Sequence, residues 1–103
     1  MTEANEPLTP VAALPAVLAA LQDPIRLEMI RRLSNTAAPV RCSALYDEIN
    51  KSTASHHFKI LRDAGLIERL VIDGQIHQRL RGADVDAALP GLLSAVVSAA
   101  NQT

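Results

Sequence analysis

Residues 52–67 read Ser52-Thr53-Ala54-Ser55-His56-His57-Phe58-Lys59-Ile60-Leu61-Arg62-Asp63-Ala64-Gly65-Leu66-Ile67. Ser52 offers the hydroxyl of an N-cap, and Gly65 stands where a terminating helix enters the left-handed region. Between them Ala54, Phe58, Leu61 and Ala64 recur at three- and four-residue spacing, which predicts a helix with one buried stripe. Its outward side then carries Thr53, Ser55, His56, Lys59 and Arg62, every one a hydrogen-bonding or cationic side chain. His57 falls at the edge of the stripe, where a packing role and a phosphate contact are equally open.

Downstream the period changes. Residues 67–72 and 75–80 alternate and are rich in β-branched residues, and Asp73-Gly74 between them predicts a tight hairpin. Upstream, a short helix is expected from Ser43 to Ile49, followed by a turn at Asn50-Lys51. Asp23-Pro24 is a helix start, and Ile25, Leu27, Ile30 and Leu33 keep helical spacing to about Ser34. Residues 35–40 read as a loop. The Ala-, Val- and Leu-rich run 10–21 reads as a first helix with Thr9 as N-cap, which Pro15 either bends or restarts. A final helix is expected from Asp84 toward Asn101, interrupted at Pro90. Residues 1–8 read as a frayed tail and 9–101 as one domain. Four helices, a hairpin and a helix make a mainly α fold with a small β-hairpin, the layout of a winged helix-turn-helix.

Length and composition agree. The chain has 103 residues, one domain's worth, with 49% apolar and 20% charged residues, which excludes a disordered or fibrous chain. Aromatics are 2% (Tyr46 and Phe58), too few for a large aromatic-lined substrate pocket. A single cysteine, Cys42, excludes an internal disulfide framework and suits a reducing compartment. The first ten residues carry Glu3 and Glu6 but no basic residue, unlike a secretory signal, and the charge-free runs 7–22 and 87–103 fall short of the ~20 residues of a membrane span. The expectation is a soluble cytoplasmic protein. There is no Gly-rich phosphate loop, no carboxylate cluster and no base beside Cys42, so no enzyme and no cofactor is expected.

The net charge of −1 conceals an uneven distribution. Residues 51–81 hold six Lys and Arg against three acids, a local +3, whereas the remainder is −4. The basic excess coincides with the helix and hairpin, where it can neutralise phosphates.

Asp23-Pro24-Ile25-Arg26-Leu27, the run from Ser52 to Ile67 and the hairpin's Gly74-Gln75-Ile76-His77-Gln78-Arg79-Leu80 together strongly resemble the arsenic-repressor (ArsR) family of winged-helix transcription regulators. The resemblance extends over about residues 14–93. It implies a dimer built on the terminal helices and released from an operator by an inducer or oxidant. Two family features are missing. Where many members carry a Cys-x-Cys pair this chain reads Arg41-Cys42-Ser43, and its last helix has Asp84 and Asp86 but no histidine, so no metal site is expected. An effector, small molecule or metal, stays unassigned.

For double-stranded DNA, the side chains expected at the interface are Ser52, Thr53, Ser55, His56, His57, Lys59 and Arg62 on the helix and Arg69, Gln75, Gln78 and Arg79 on the wing. Short polar side chains near the helix start suit base edges, and the cations suit phosphates. The first and last helices are apolar on every side and must be covered. A homodimer is therefore expected through Leu14, Val17, Leu18 and Leu21 with Leu89, Leu92, Leu93, Val96 and Val97. The fold and motif predict a homodimeric repressor of a palindromic operator. The alternative is a winged-helix module that docks a protein and binds no DNA by itself.

Overall fold

Asp23 begins the helix on which the rest of the protein packs. Its carboxylate accepts the backbone N–H groups of Ile25 (2.8 Å) and Arg26 (3.1 Å), and Pro24 supplies the fixed φ of the first helical residue. The computed structural model describes residues 2–3 and 8–103. In it this helix, α2, spans Pro24–Thr36 and buries Met29, Ile30 and Leu33. It ends with Ala37 in the left-handed region, and Val40–Arg41 then forms a short strand (β2) rather than loop.

The first helix is shorter than expected. Pro15, not Pro10, opens it, so α1 is Leu14–Leu21, with Ala13 as an N-cap that makes no side-chain bond. A helix running from residue 10 would set the Pro15 ring against the carbonyl of residue 11. Residues 9–13 instead cross the end of a later helix, where the Ala12 N–H donates to the Ala64 carbonyl (3.0 Å) and buried Arg81 donates to the Thr9 carbonyl.

The helix expected over 43–49 is also absent. Its place is taken by one 3-10 turn, Cys42–Ala44, and irregular chain in which Glu48 has a positive φ. Arg32 of α2 accounts for this. Its guanidinium donates to the Ala44 carbonyl (3.2 Å) and the Asp47 carboxylate (2.5 Å), taking up groups an α-helix would need elsewhere. Leu45 is still fully buried.

Helix α3, Lys51–Asp63, starts one residue before the expected cap: Asn50 Oδ1 accepts the Thr53 N–H (2.8 Å), leaving Ser52 inside the first turn. Its end is as read. Gly65 is left-handed (φ +80°), its N–H donates to Arg62 and that of Leu66 to Leu61, a Schellman closure. The hairpin follows as β3 (Ile67–Ile72) and β4 (Gln75–Leu80), in register Ile67 with Leu80 through Ile72 with Gln75. Asp73 (φ +51°) and Gly74 (φ +77°) form the tight turn.

The sheet is wider than a hairpin. Thr2–Glu3 (β1) pairs with β3, and β2 pairs with β4, giving the order β1-β3-β4-β2, all antiparallel. Of the tail expected over 1–8, these two residues are paired and Leu8 is exposed, while residues 1 and 4–7 lie outside the described residues. The expected last helix is two, α4 (Gly82–Ala88) and α5 (Leu92–Gln102), bent by 119° at Leu89-Pro90-Gly91. Helix α5 packs along α2 and is tied to it at its end by paired Asn35 and Asn101 amides. One core joins α1, α2, α3, β3, α4 and α5 through Val17, Ile30, Leu61, Ile67, Val85 and Leu93. Among the described residues no single helix is long and apolar enough to cross a membrane.

Candidate nucleic-acid interface

Helix α3 presents two chemically distinct sides. Ala54, His57, Phe58 and Leu61 are buried, and Lys51, Ser52, Thr53, Ser55, His56 and Lys59 are exposed, as a 100° turn per residue dictates. Arg62 lies half-buried at the margin. Lys59 pairs with Asp63 one turn on (2.7 Å), but both side chains are more than 60% exposed, so the pair is easily exchanged for another anion.

His57 is not on that outward side. It is 8% exposed, and its Nδ1 accepts from Arg26 Nη1 (3.1 Å). Arginine only donates, so the ring carries its proton on Nε2. The same guanidinium donates to the carbonyls of Ala20 (2.7 Å) and Ala19 (3.4 Å) at the end of α1. One cation thus ties α3 to the α1–α2 corner, and His57, for which the sequence leaves packing and a phosphate contact equally open, lies on the packed side of the helix. Beside it, Asp23 lies below its ordinary pKa. Burial pushes the carboxyl up, but the Arg26 and Ile25 N–H groups and the Arg26 charge together outweigh that.

A second network fixes the chain that leads into α3. Glu28 accepts from both Arg31 (2.8 Å) and Arg32 (2.7 Å), and these two bonds hold its carboxyl down at about 2. Arg32 in turn holds the 42–47 segment, and Tyr46 lies edge-on against Phe58 (centroids 6.2 Å apart). The helix and its entry are braced from beneath, leaving the polar side uncommitted.

The wing divides its cations between two faces. Successive strand residues alternate, so Arg69 shares a face with its partner Gln78, whereas Arg79 faces away with Glu68, to which it is paired (2.5 Å). Gln78, expected to touch DNA, is 1% exposed and donates to Cys42 Sγ (3.5 Å); the β2 pairing and the 3-10 turn bury it. Gln75 is exposed at the hairpin tip and accepts from Arg41 (3.1 Å).

Two clefts bring the remaining residues together. One, of about 470 Å³ between α3 and the wing, gathers Ser55, Arg62, Arg69 and Gln75 and adds Arg41 and Lys51. The other, of about 280 Å³, is lined by Lys59, Arg62, Arg69 and Arg79. Ser52, Thr53 and His56 line neither cleft. Arg41 and Lys51 were absent from the sequence-based set. Lys51 lay within the basic segment, but Arg41 reaches the cleft only through strand β2, which no local pattern announced.

The residues expected at a dimer contact fall into two groups. Val17, Leu21, Leu93 and Val97 are buried in the protomer's own core, so they offer no free surface. Leu14 and Leu18 are exposed by 43% and 46%, and Leu89, Leu92 and Val96 are half-buried. The apolar helices are thus each covered along one stripe and open along another. His56 and His77 stay exposed or half-exposed, with the His77 ring bonded to the Gln75 carbonyl (3.0 Å), and no metal-ligand cluster forms among the described residues.

An α-helix with a polar outer side, braced from beneath and followed by a basic hairpin, is the arrangement of a winged helix-turn-helix, a DNA-binding architecture. A helix-turn-helix domain family model matches residues 21–69, from the end of α1 into β3. The chain is 35% identical over 79 residues to the uncharacterized HTH-type transcriptional regulator YceK of Bacillus subtilis (strain 168), covering 75% of this chain and 79% of that protein. The chain belongs to the helix-turn-helix-type transcriptional regulators. Its fold is that of ArsR-like members. An ArsR-like transcriptional regulator from Rhodococcus sp. RHA1 superposes with a TM-score of 0.64 at 24% identity, over 86% of this chain and 84% of the other. The transcriptional repressor BigR from Xylella fastidiosa superposes with a TM-score of 0.63 at 24% identity, over 82% and 83%.

Proposed function

We propose that this DNA-binding regulator acts as a homodimeric repressor that binds a palindromic operator and is released by a small effector. The observation that carries the reading is the uncommitted side of α3. Ser52, Thr53, Ser55 and His56 stand exposed within its first two turns, with Lys51, Lys59, Arg62 and the wing arginines around them. Short donors and acceptors near the helix start reach base edges, while the surrounding cations hold phosphates.

The dimer rests on the open stripes. Leu14 and Leu18 lie one turn apart on α1, and Leu92 and Val96 one turn apart on α5, next to Leu89. A second copy covers these apolar rows with its own. The BigR name supplies a precedent for repression within the same fold.

Selection from a random duplex pool, followed by anisotropy titrations at several salt concentrations, tests the whole reading. The expected winner is an inverted repeat with half-sites ~34–36 Å apart, bound by two chains. Arg62→Ala should weaken all sequences alike and flatten the log–log salt slope by ~1, while Ser55→Ala or His56→Ala changes which sequences win. A folded protein that enriches no sequence and co-purifies with a stoichiometric protein partner supports the docking-module alternative instead.

A further inference from the structure

The cleft between α3 and the wing contains more chemistry than DNA contact needs. Among the described residues its walls carry four cations, Arg41, Lys51, Arg62 and Arg69, and no acid. Lys51 and Arg62 form no ion pair among the described residues. Inside, the surface turns apolar with Ala54 and Phe58. Gln78 lines it as well, 99% buried, and its Oε1 has no hydrogen-bond partner among the described residues although Nε2 donates to Cys42 Sγ. A buried acceptor left unpaired costs ~1–3 kcal/mol, and a buried glutamine that lacks a partner points to a ligand donor. The volume, about 470 Å³, is that of a small-molecule site.

We infer that this cleft is an effector site for a small organic anion, a carboxylate or phosphate monoester that also bears a hydroxyl donor. The anionic group sits among the four cations, and the hydroxyl donates to Gln78 Oε1. The site shares Lys51, Ser55, Arg62 and Arg69 with the DNA-facing surface, so occupancy and DNA binding compete. This competition rests on the proposed DNA reading; ligand binding itself does not. Release then needs no change in the dimer, because the ligand neutralises the charges that hold phosphates.

Two matched pairs of probes test the site on the full chain at fixed ionic strength. Malate is compared with succinate, and glycerol 3-phosphate with n-propyl phosphate. Binding is followed through the Gln78 side-chain amide and the Ser55 backbone amide by ¹H–¹⁵N NMR. The expected result is saturable binding in one pair, the hydroxylated member ~10-fold tighter, as one good hydrogen bond to a buried acceptor allows. The pair that responds tells carboxylate from phosphate. Gln78→Leu abolishes the preference while anion binding persists, and Arg62→Gln weakens both members. In a DNA titration the preferred probe lowers affinity more than its partner does. Binding that ranks by charge alone, with no preference within either pair in the wild-type chain, overturns the site whether or not Gln78→Leu folds. A preferred probe that leaves DNA affinity equal to that with its partner overturns the competition, and with it the effector role. A chain that binds no duplex but keeps the hydroxyl preference refutes the DNA reading and leaves the ligand site standing.

Discussion

Substituting Gly65 by alanine should damage this protein far more than substituting Gly74, although both glycines are left-handed (φ +80° and +77°). The left-handed conformation alone costs an L-residue about 1 kcal/mol, and both variants incur it. At Gly74 nothing lies within 4 Å of the added Cβ. At Gly65 the Cβ falls 2.6 Å from the Pro10 carbonyl oxygen and from Val11 Cα, and 2.8 Å from Val11 N, all backbone atoms. The crossing segment must therefore move. Its anchors are the Ala12-to-Ala64 hydrogen bond and the Arg81 bond to the Thr9 carbonyl. Losing a neutral hydrogen bond costs ~1 kcal/mol and a charge-assisted one ~1.5–3 kcal/mol. Gly65→Ala should thus cost ~3–5 kcal/mol, a large share of the ~5–15 kcal/mol that holds a domain together. Urea and thermal unfolding followed by circular dichroism measure both variants. At ~4–8 °C per kcal/mol for a domain of this size, their melting temperatures should differ by ~10 °C or more. Equal losses in the two variants would refute the claim that the 9–13 segment is clamped over the end of α3.

Asn50→Ala should cost ~1 kcal/mol and fray the first turn of α3, while Ser52→Ala, whose hydroxyl caps nothing, should stay within ~0.5 kcal/mol; thermal melts of the two variants distinguish the caps. A double-mutant cycle between Arg26→Leu and His57→Leu should show a coupling of ~0.5–3 kcal/mol in urea unfolding, and strict additivity would mean that the 3.1 Å contact does not operate in solution. Acid should weaken the protein partly through Glu28. Its folded value of about 2 lies below the ordinary 4.5, so its contribution is complete above that ordinary value and disappears as pH falls through the folded one. Glu28→Gln should accordingly lower stability at neutral pH and flatten the acid limb of a pH–stability profile. A limb of unchanged slope would show that the two arginine bonds do not form.

The features legible in the sequence are those whose cause lies within a few residues. Asp23-Pro24 provides its own cap and its own φ, Asp73-Gly74 its own turn, and Gly65 the single left-handed residue of a Schellman closure. None needs a partner from elsewhere in the chain. The misread features all have a distant cause. The 43–49 segment has helical periodicity, but Arg32, more than ten residues earlier, takes its carbonyl and its acid. Gln78 looks like a surface donor until strand β2 covers it, and His57, at the edge of the stripe, has two open roles until Arg26 reaches it. Arg41 looks like a scattered charge until the same strand sets it on the cleft. The apolar helices follow the same logic. Uniform Ala, Val and Leu composition cannot say which stripe faces inward, and α2 decides this by taking Val17 and Leu21 and leaving Leu14 and Leu18 open. The outward side of α3 was therefore readable because the local period alone separates it from the core. The cleft beside it was not, because three separated segments build it, and two of its cations acquire a role only through the fold.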